Sequence, residues 1–426
     1  MKTGYRLLNV ADGNLFDDKG WTLKDPDYDG TSLLRAVYEK RQLEVKDDSL
    51  GLFKYADWLP ITRYLDKSSS TVTFKSKKLA GTLGLSNLYI SFSGYWPEIG
   101  ASMTTCSFKE TEAYSVCARM SPHQKGVMVV ASAGNTARAF ARVCSNNNIP
   151  LLLVVPEDNL DALWFNERIN NCVKLICTPT GSDYYDAIDL SNTICCSDYF
   201  YEEGGAKNIA RRDGMGTTVL SAATYIGKIP EYYFQAIGSG TGTIAAWEAN
   251  LRLIEDGRFG NNKMVLIPSQ NSPFTPICDA WKSGRREILF DDEQRARENA
   301  LKITARVLAN RRPPYSITGG LYDALKECNG DVESVTNSEL AAACKLFEKE
   351  KGIDIHPASG VALAGMIKSL KAKNIDKESI IMLNITGGGE KRLLKEIIPF
   401  YLKPDLIIDN KTDRDRVIKK AEALFN

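Results

Sequence analysis

A primary amine in an unusual setting is the first candidate for chemistry. Lys109, in "TTCSFKETEAYS" (residues 104–115), follows Ser107 and Phe108 and opens a stretch with helical spacing. A lysine held in a dry pocket is pushed toward its neutral form and becomes a nucleophile toward aldehydes. Alone, Lys109 reads as a solvated helix-face lysine; three other segments change that reading. "IGSGTGT", Ile237 to Thr243, lies between an apolar strand and a strong helix pattern. Its glycines let the backbone approach an anion, the helix start adds its positive dipole end, and Ser239, Thr241 and Thr243 offer hydroxyls. Gly238, Ser239, Gly240, Thr241 and Gly242 thus form a candidate cradle for a phosphate monoester, against the plainer reading of a tight strand–helix turn. No GK[ST] follows, and no clear acidic residue ends a following strand as a dinucleotide fingerprint requires.

"ASAGNTARAF", Ala131 to Phe140, has the same strand–turn–helix form. It sets Ser132, Gly134, Asn135 and Thr136 at the C-terminal edge of a parallel sheet, where α/β proteins bind ligands. Its plain reading is a helix cap. "NITGGGEKRL", Asn384 to Leu393, is a third strand ending in a hydroxyl and a glycine run, with Thr386 facing a cleft or an ordinary turn. A lysine opening one helix, two glycine-rich strand ends and a Ser/Asn strand end could together surround a phosphorylated cofactor.

The elements that must position these residues alternate from about residue 107 onward. "SFKETEAYSVCARMSP" is helical and stops at Pro122, "GVMVVASAG" is an apolar strand, and "NTARAFARVCSNNN" is a helix. "PLLLVVP" and "VKLICTPTG" are strands, with "LDALWFNERIN" between them expected to be helical. A second series begins near residue 231. It contains the strands "EYYFQAIG", "KMVLIPSQ" and "SIIMLNITGGG" and the helices "IAAWEANLRLIEDG", "DDEQRARENALKITARVL", "SELAAACKLFEKEKG" and "SGVALAGMIKSLKAKN". This rhythm predicts parallel sheets covered on both faces. Nearer the N-terminus, "LLRAVYEKRQLEV" looks helical and "GLFKYADWLPI" reads as an aromatic docking segment.

Composition narrows the function classes. Among 426 residues, 54 Lys and Arg balance 53 Asp and Glu, which argues against a broad basic face for nucleic acid. The opening residues lack a signal-peptide run, and the longest apolar runs are too short to span a membrane, so a cytoplasmic protein is expected. Ten cysteines without an export signal read as reduced thiols. With no CxxC pair and only two histidines, a zinc site is not expected, and acid–base chemistry must lean on lysine, carboxylates or a cofactor.

The order of these motifs resembles the pyridoxal-phosphate enzymes of the tryptophan synthase β fold, fold type II. "SFKE" is similar to their Schiff-base lysine motif, "ASAGN" to their SxGN segment, "GSGTGT" to their phosphate loop and "ITGGGEKR" to the segment that meets the pyridine nitrogen. "GLFKYADWLPI" resembles a segment of threonine synthases. The resemblance implies two α/β domains with mostly parallel sheets and an active-site cleft between them. Residues 1–95 would begin a large cofactor domain, 96–230 would form a smaller inserted domain, and 231–426 would complete the large one. It implies pyridoxal 5'-phosphate as cofactor, bonded through its aldehyde to Lys109, which then shuttles the substrate's α-proton. Asn135 would meet the phenolic oxygen, Gly238 to Gly242 the phosphate, and Thr386 the ring nitrogen. A neutral hydroxyl there suits elimination better than transamination.

The chain departs from the threonine synthase pattern at SFKE in place of SFKD, at His356 in "IHPASGVALAG" where a glutamate is usual, and at "TGGGEK". The blocks "SFSGYWPE", "TCSFKETEA" and "SITGGLYDAL" resemble the cysteate synthases of methanogenic archaea. That resemblance implies β-replacement on O-phospho-L-serine by sulfite, giving L-cysteate and phosphate for coenzyme M biosynthesis, in a homo-oligomer with no nucleic-acid or membrane partner. Both leaving group and nucleophile are anions, so cations are needed. Arg138, Lys207, Arg211 and Arg212 flank the expected cleft and join Ser132, Gly134 and Thr136 as candidate substrate-binding residues. The alternative on the same fold is threonine synthesis from O-phosphohomoserine, followed by a dehydratase or cysteine synthase. A non-enzymatic reading is a small-anion binder without a reactive lysine.

Overall fold

The apolar runs expected to be strands are buried on both faces of two sheets in a computed structural model that describes residues 2–132, 134–290 and 292–426. In the five-stranded sheet the order is Phe200–Glu202, Val127–Ala131, Leu151–Pro156, Val173–Thr178 and Leu406–Ile407. Every pairing in it is parallel. Alternate residues part to opposite faces, as the two-residue period of a strand requires. Met128, Val130, Leu151, Leu153 and Leu175 join one core cluster, while Val127, Val129, Leu152, Val154 and Ile176 join another.

The six-stranded sheet runs Glu333–Val335, Val265–Asn271, Tyr232–Ala236, Ile380–Ile385, Asn87–Phe92 and Val72–Lys75. Only the edge strand Val72–Lys75 is antiparallel to its neighbour. The same alternation divides its core, with Ile90, Phe234, Ile267 and Leu383 on one side and Tyr233, Leu266 and Met382 on the other.

Five helices matter for the site: α1 (Lys109–Arg119), α2 (Asn135–Asn146), α3 (Ile209–Ile226), α4 (Thr241–Asp256) and α5 (Pro357–Ala372). Helix α1 packs against both α2 and α3, and α3 packs against α4 and the strands Val72–Lys75 and Asn87–Phe92. Helix α2 follows the strand Val127–Ala131 and α4 follows Tyr232–Ala236, so both begin at the C-terminal ends of parallel strands. The start of α1 is fastened to the loop after Ile380–Ile385. Ser107 bridges Gly387, and the Phe108 amide donates to the Thr386 carbonyl at 2.9 Å.

Two segments differ from their helical expectation. In "LLRAVYEKRQLEV", Leu34–Tyr38 is a strand paired antiparallel with Tyr5–Asn9. Leu34, Ala36 and Tyr38 are buried while Val37 is exposed, a two-residue period that a short apolar window hides. In "LDALWFNERIN" a single 3-10 segment, Glu157–Ala162, precedes the strand Trp164–Phe165, which pairs with Phe400–Tyr401. Leu163, Trp164 and Phe165 are buried consecutively, and the last two lie in the strand paired with Phe400–Tyr401. The tail of the expected third segment, 231–426, also returns to the smaller sheet. Leu406–Ile407 forms its edge, and the helix Arg414–Glu422 packs on Tyr184–Ile194.

Leu153 is fully buried in a central strand of the five-stranded sheet. Leu153→Ala should lower stability by about 2–5 kcal/mol, because a well-packed site closes only partly around the lost methyl groups. Urea denaturation checks this as a lower midpoint at an unchanged slope.

Candidate active site

The strand ends of both sheets face one cavity of about 270 Å³. Its walls include Lys109 from α1, Ser132, Gly134, Asn135 and Thr136 around the start of α2, Gly238 to Gly242 at the start of α4, and Thr386. Every one of the expected cofactor-binding residues therefore lines the same space. Of the expected substrate-binding residues, Ser132, Gly134, Thr136 and Arg211 line it too.

Lys109 is the first residue of α1, and its side chain keeps 23% of its surface open toward the cavity. Its Nζ donates to Glu112 Oε2 at 3.1 Å, one turn along the helix, and lies 4.8 Å from the Phe108 ring. Glu112 is completely buried, and its other oxygen receives Arg211 Nη2 at 2.7 Å and the Thr136 hydroxyl at 3.0 Å. Arg211 reaches on with Nη1 to Glu203 Oε2 at 2.8 Å. Burial opposes charge on all four groups. It lowers the Lys109 pKa, although Glu112 pulls the other way. Burial alone would raise Glu112, but Arg211 and Lys109 together hold its carboxyl down at about 2. Burial prevails over the pull of Arg211 and the Gly205 amide on Glu203, and with Glu112 nearby pushes it up to about 7.

The glycine loop needs its glycines. Gly240 caps α4 with φ +81°, a left-handed conformation, and a Cβ there would come within 2.6 Å of Leu321 Cδ2. A Cβ on Gly242 would come within 2.5 Å of the Gln235 side-chain amide. The hydroxyls of Ser239 and Thr241 stand 2.9 Å apart at the helix start. A helix leaves its first-turn amides without intrahelical acceptors, so this wall offers donors to a dianion.

At the start of α2, Ser132 Oγ accepts the amides of Gly134 and Ala137, both at 3.0 Å, so it caps the helix as well as lining the cavity. Asn135 Oδ1 accepts from Arg138 Nη2 at 3.1 Å. Thr386 is buried, and its backbone carbonyl anchors α1.

Three expected cations lie elsewhere. Arg138 is buried behind Asn135, donates to the carbonyls of Thr105 and Ala162, and stacks 4.3 Å from the Trp164 ring. It braces loops and does not line the cavity. Lys207 is exposed outside the cavity, because the one-turn 3-10 helix Gly205–Lys207 aligns only its first residues with that wall. Arg212, next to Arg211 but around the helix, is buried against Glu248 at 2.9 Å and the carbonyls of Ala206 and Leu34.

Other wall residues escaped sequence reasoning. Arg312 lies in a loop without periodicity, and Tyr184 and Gln235 looked like helix and strand residues. Glu112 had a legible signal, its i,i+3 spacing from Lys109. His356 also lines the cavity, immediately before α5, and its Nδ1 is buried without a partner. Burial, helped by Arg138, brings its pKa down to about 4.

The donor set fits a phosphorylated aromatic aldehyde: a reactive amine, a helix start crowded with hydroxyls for a phosphate, an amide side chain and a neutral hydroxyl. Comparisons with known proteins agree. Residues 100–387 match the family described as pyridoxal-phosphate dependent enzyme. A cysteate synthase from Methanosarcina acetivorans is 46% identical over 380 residues, covering 89% of this chain and 91% of the relative. One from Methanospirillum hungatei is 43% identical over 420 residues, covering 99% and 98%. Among solved structures, serine racemase from Dictyostelium discoideum matches with TM-score 0.54 at 19% identity, covering 75% of this chain and 92% of that one. Maize serine racemase matches with TM-score 0.58 at 14% identity, covering 76% and 91%.

His356 should stay uncharged from pH 8 down to about pH 5 and titrate near 4. Because its ordinary value is 6.5, the unfolded chain takes the proton first, so stability falls progressively as pH drops from 6.5 toward 4. Imidazole NMR resonances, assigned with a His123→Gln variant, check the titration. His356→Asn should flatten that part of the stability profile.

Proposed function

The chain belongs to the cysteate synthase family of pyridoxal-phosphate-dependent enzymes, and from that premise we propose that it converts O-phospho-L-serine and sulfite into L-cysteate and phosphate, a β-replacement serving coenzyme M biosynthesis. The observation that carries this reading is the charge of the cavity wall. Lys109, Arg211 and Arg312 line it, and among the described residues no carboxylate does. Glu112 and Glu203 lie behind the wall, engaged with Lys109 and Arg211. An anionic leaving group and an anionic nucleophile both gain from such a wall, whereas a neutral nucleophile such as water gains little.

Pyridoxal phosphate, when bound, supplies an aldehyde for Lys109 and an electron sink for charge developing at the substrate's α-carbon. Lys109 Nζ would hold the cofactor, and its free amine would take the substrate's α-proton and later return it to the same carbon. The Cβ–O bond breaks with its electron pair leaving on phosphate, and sulfite sulfur forms the new bond to Cβ. Gly238 to Gly242 would cradle the cofactor phosphate, Asn135 would meet its phenolic oxygen, and Thr386 would offer an uncharged hydroxyl to the ring. Arg211 and Arg312 attract the two anions. Ser132, Gly134 and Thr136 shape the substrate side of the cavity. Phe108, Ile188, Val307, Leu308 and Pro314 give the walls an apolar share that keeps charge–charge attraction strong.

We also read the two sheets as marking two domains, with 96–230 supplying most of the smaller one and the cavity in the cleft between them. Among the described residues no helix is long and apolar enough to cross a membrane. Ten unbonded cysteines support a reducing, cytoplasmic setting. A homo-oligomer is supported by the apolar side chains left exposed near the C-terminus, among them Ile398, Phe400 and Tyr401.

Phosphate release from O-phosphoserine, with and without sulfite and beside O-phosphohomoserine, tests the reading. Release from phosphoserine with stoichiometric cysteate is expected. Lys109→Ala should lower turnover by about four orders of magnitude or more and abolish the borohydride-sensitive chromophore, since one residue supplies both the covalent anchor and the base. Release from phosphohomoserine alone, with threonine formed, overturns it.

A further inference from the structure

Glu112 has no role in the reaction described so far, yet it is the most tightly held ionised group at the site. Its carboxylate is completely buried and has three partners on three helices: Lys109 on α1, Thr136 on α2 and Arg211 on α3. Arg211 and Thr136 both take Oε1, at 2.7 and 3.0 Å, while Oε2 receives Lys109 Nζ at 3.1 Å. One oxygen is thereby fixed by two donors, which sets the plane of the carboxylate and aims the other oxygen at the lysine. A group whose only duty was to neutralise Arg211 would not need that aim, because Arg211 already has Glu203 at 2.8 Å.

We propose that Glu112 is the positioning residue of Lys109: it steers the amine by a directed hydrogen bond and stabilises the ammonium formed when Lys109 takes the α-proton. The proposal rests on Lys109 being the lysine that holds the cofactor, but not on which nucleophile completes the reaction. A neutral amine in a buried wall is a weak base, since burial penalises the cation that proton uptake creates. A fixed carboxylate within hydrogen-bond reach offsets that penalty, and its own low pKa, about 2, means that it keeps its charge and does not take the proton itself. The arrangement makes Lys109 a better base without placing a negative charge on the cavity wall, where it would repel phosphate and sulfite.

The other charged or titratable groups facing this pair are few. Arg211 opposes the lysine's charge, Glu203 moderates Arg211 from the segment after Phe200–Glu202, and Tyr184 faces Arg211 from the helix Tyr184–Ile194. His356 lies on the cavity wall but is neutral through the working range.

The test is the pH profile of α-proton exchange. The cofactor-loaded full chain and its Glu112→Gln variant are given O-phosphoserine in deuterated water without sulfite, and label uptake at Cα is followed against pH. Borohydride trapping and peptide mapping accompany both proteins. The expected result is trapping at Lys109 in both, with the acidic limb of the exchange profile, where the amine must lose its proton to act as a base, moved down by roughly one pH unit or more in the variant. The plateau should fall about tenfold, because a weaker base at the same place transfers the proton more slowly. Glu112→Asp should recover part of the shift. Should Glu112→Gln fail to fold, Glu203→Gln decides: leaving Arg211 less compensated, it should move the limb in the same direction by a smaller amount. A lower plateau with an unmoved limb overturns the proposal and leaves Glu112 a structural ion-pair partner. Trapping at another lysine in the unaltered protein overturns the reading of Lys109 itself, and this proposal with it.

Discussion

Burying an ionised carboxylate is among the costliest things a fold can do, and here the whole site is arranged around one. Glu112 is affordable in the interior only because two cations and a hydroxyl meet it with good geometry. Those partners come from α1, α2 and α3, so the three helices must converge at one point. The contacts between α1 and both α2 and α3 are the packing expression of that requirement. Removing one partner of such a group leaves an uncompensated buried charge, typically a loss of about 3–5 kcal/mol. The relative orientation of the helices that carry Lys109 and Asn135 is thus tied to an electrostatic constraint, not to apolar packing alone.

The two sheets solve the complementary problem of presenting loops. Parallel strands buried on both faces put all their C-terminal ends on the same side, and a helix that starts there has first-turn amides without intrahelical i−4 acceptors. The strands Val127–Ala131, Tyr232–Ala236 and Ile380–Ile385 deliver Asn135, the glycine loop and Thr386 in this way. Lys109 follows no such strand. It reaches the cavity because Phe108 and Ser107 are stitched to the Thr386–Gly387 turn by backbone contacts. The lysine and the third strand end are therefore positioned by one another, and a shift of either would displace both.

Much of this was legible in the residues themselves. The strand-end motifs at Ser132, Gly238 and Thr386 were readable because glycines and hydroxyls stand out after apolar runs, and Lys109 gained meaning from their order. Side-chain direction was not readable. Arg138, Arg211 and Arg212 look alike on paper, but the turn of α3 sends Arg211 to the cavity wall and Arg212 into Glu248, while Arg138 is consumed by the Thr105 and Ala162 carbonyls. Arg312 and His356 reach the cavity through tertiary contacts that no local period encodes. The helical reading around Leu34 failed for a simpler reason: over five residues the strand and helix periods share most of their apolar positions.

The distribution of charge around the cavity also bears on how one space can serve two anions in turn. In the proposed reaction phosphate must leave before sulfite attacks, and both need cations close to Cβ. A buried cation with no carboxylate partner would bind the first anion too well to release it. The wall offers two different kinds. Arg211 is fixed between Glu112 and Glu203, its charge largely compensated, so it orients an anion more than it traps it. Arg312 is mostly exposed and paired with Glu293 at 2.9 Å, where solvent screening keeps the pair weak. It can exchange Glu293 for an arriving anion, and take Glu293 back when that anion departs, at little net cost. Compensated charge inside and screened charge at the rim together allow attraction without retention, which is what replacing one oxyanion by another requires.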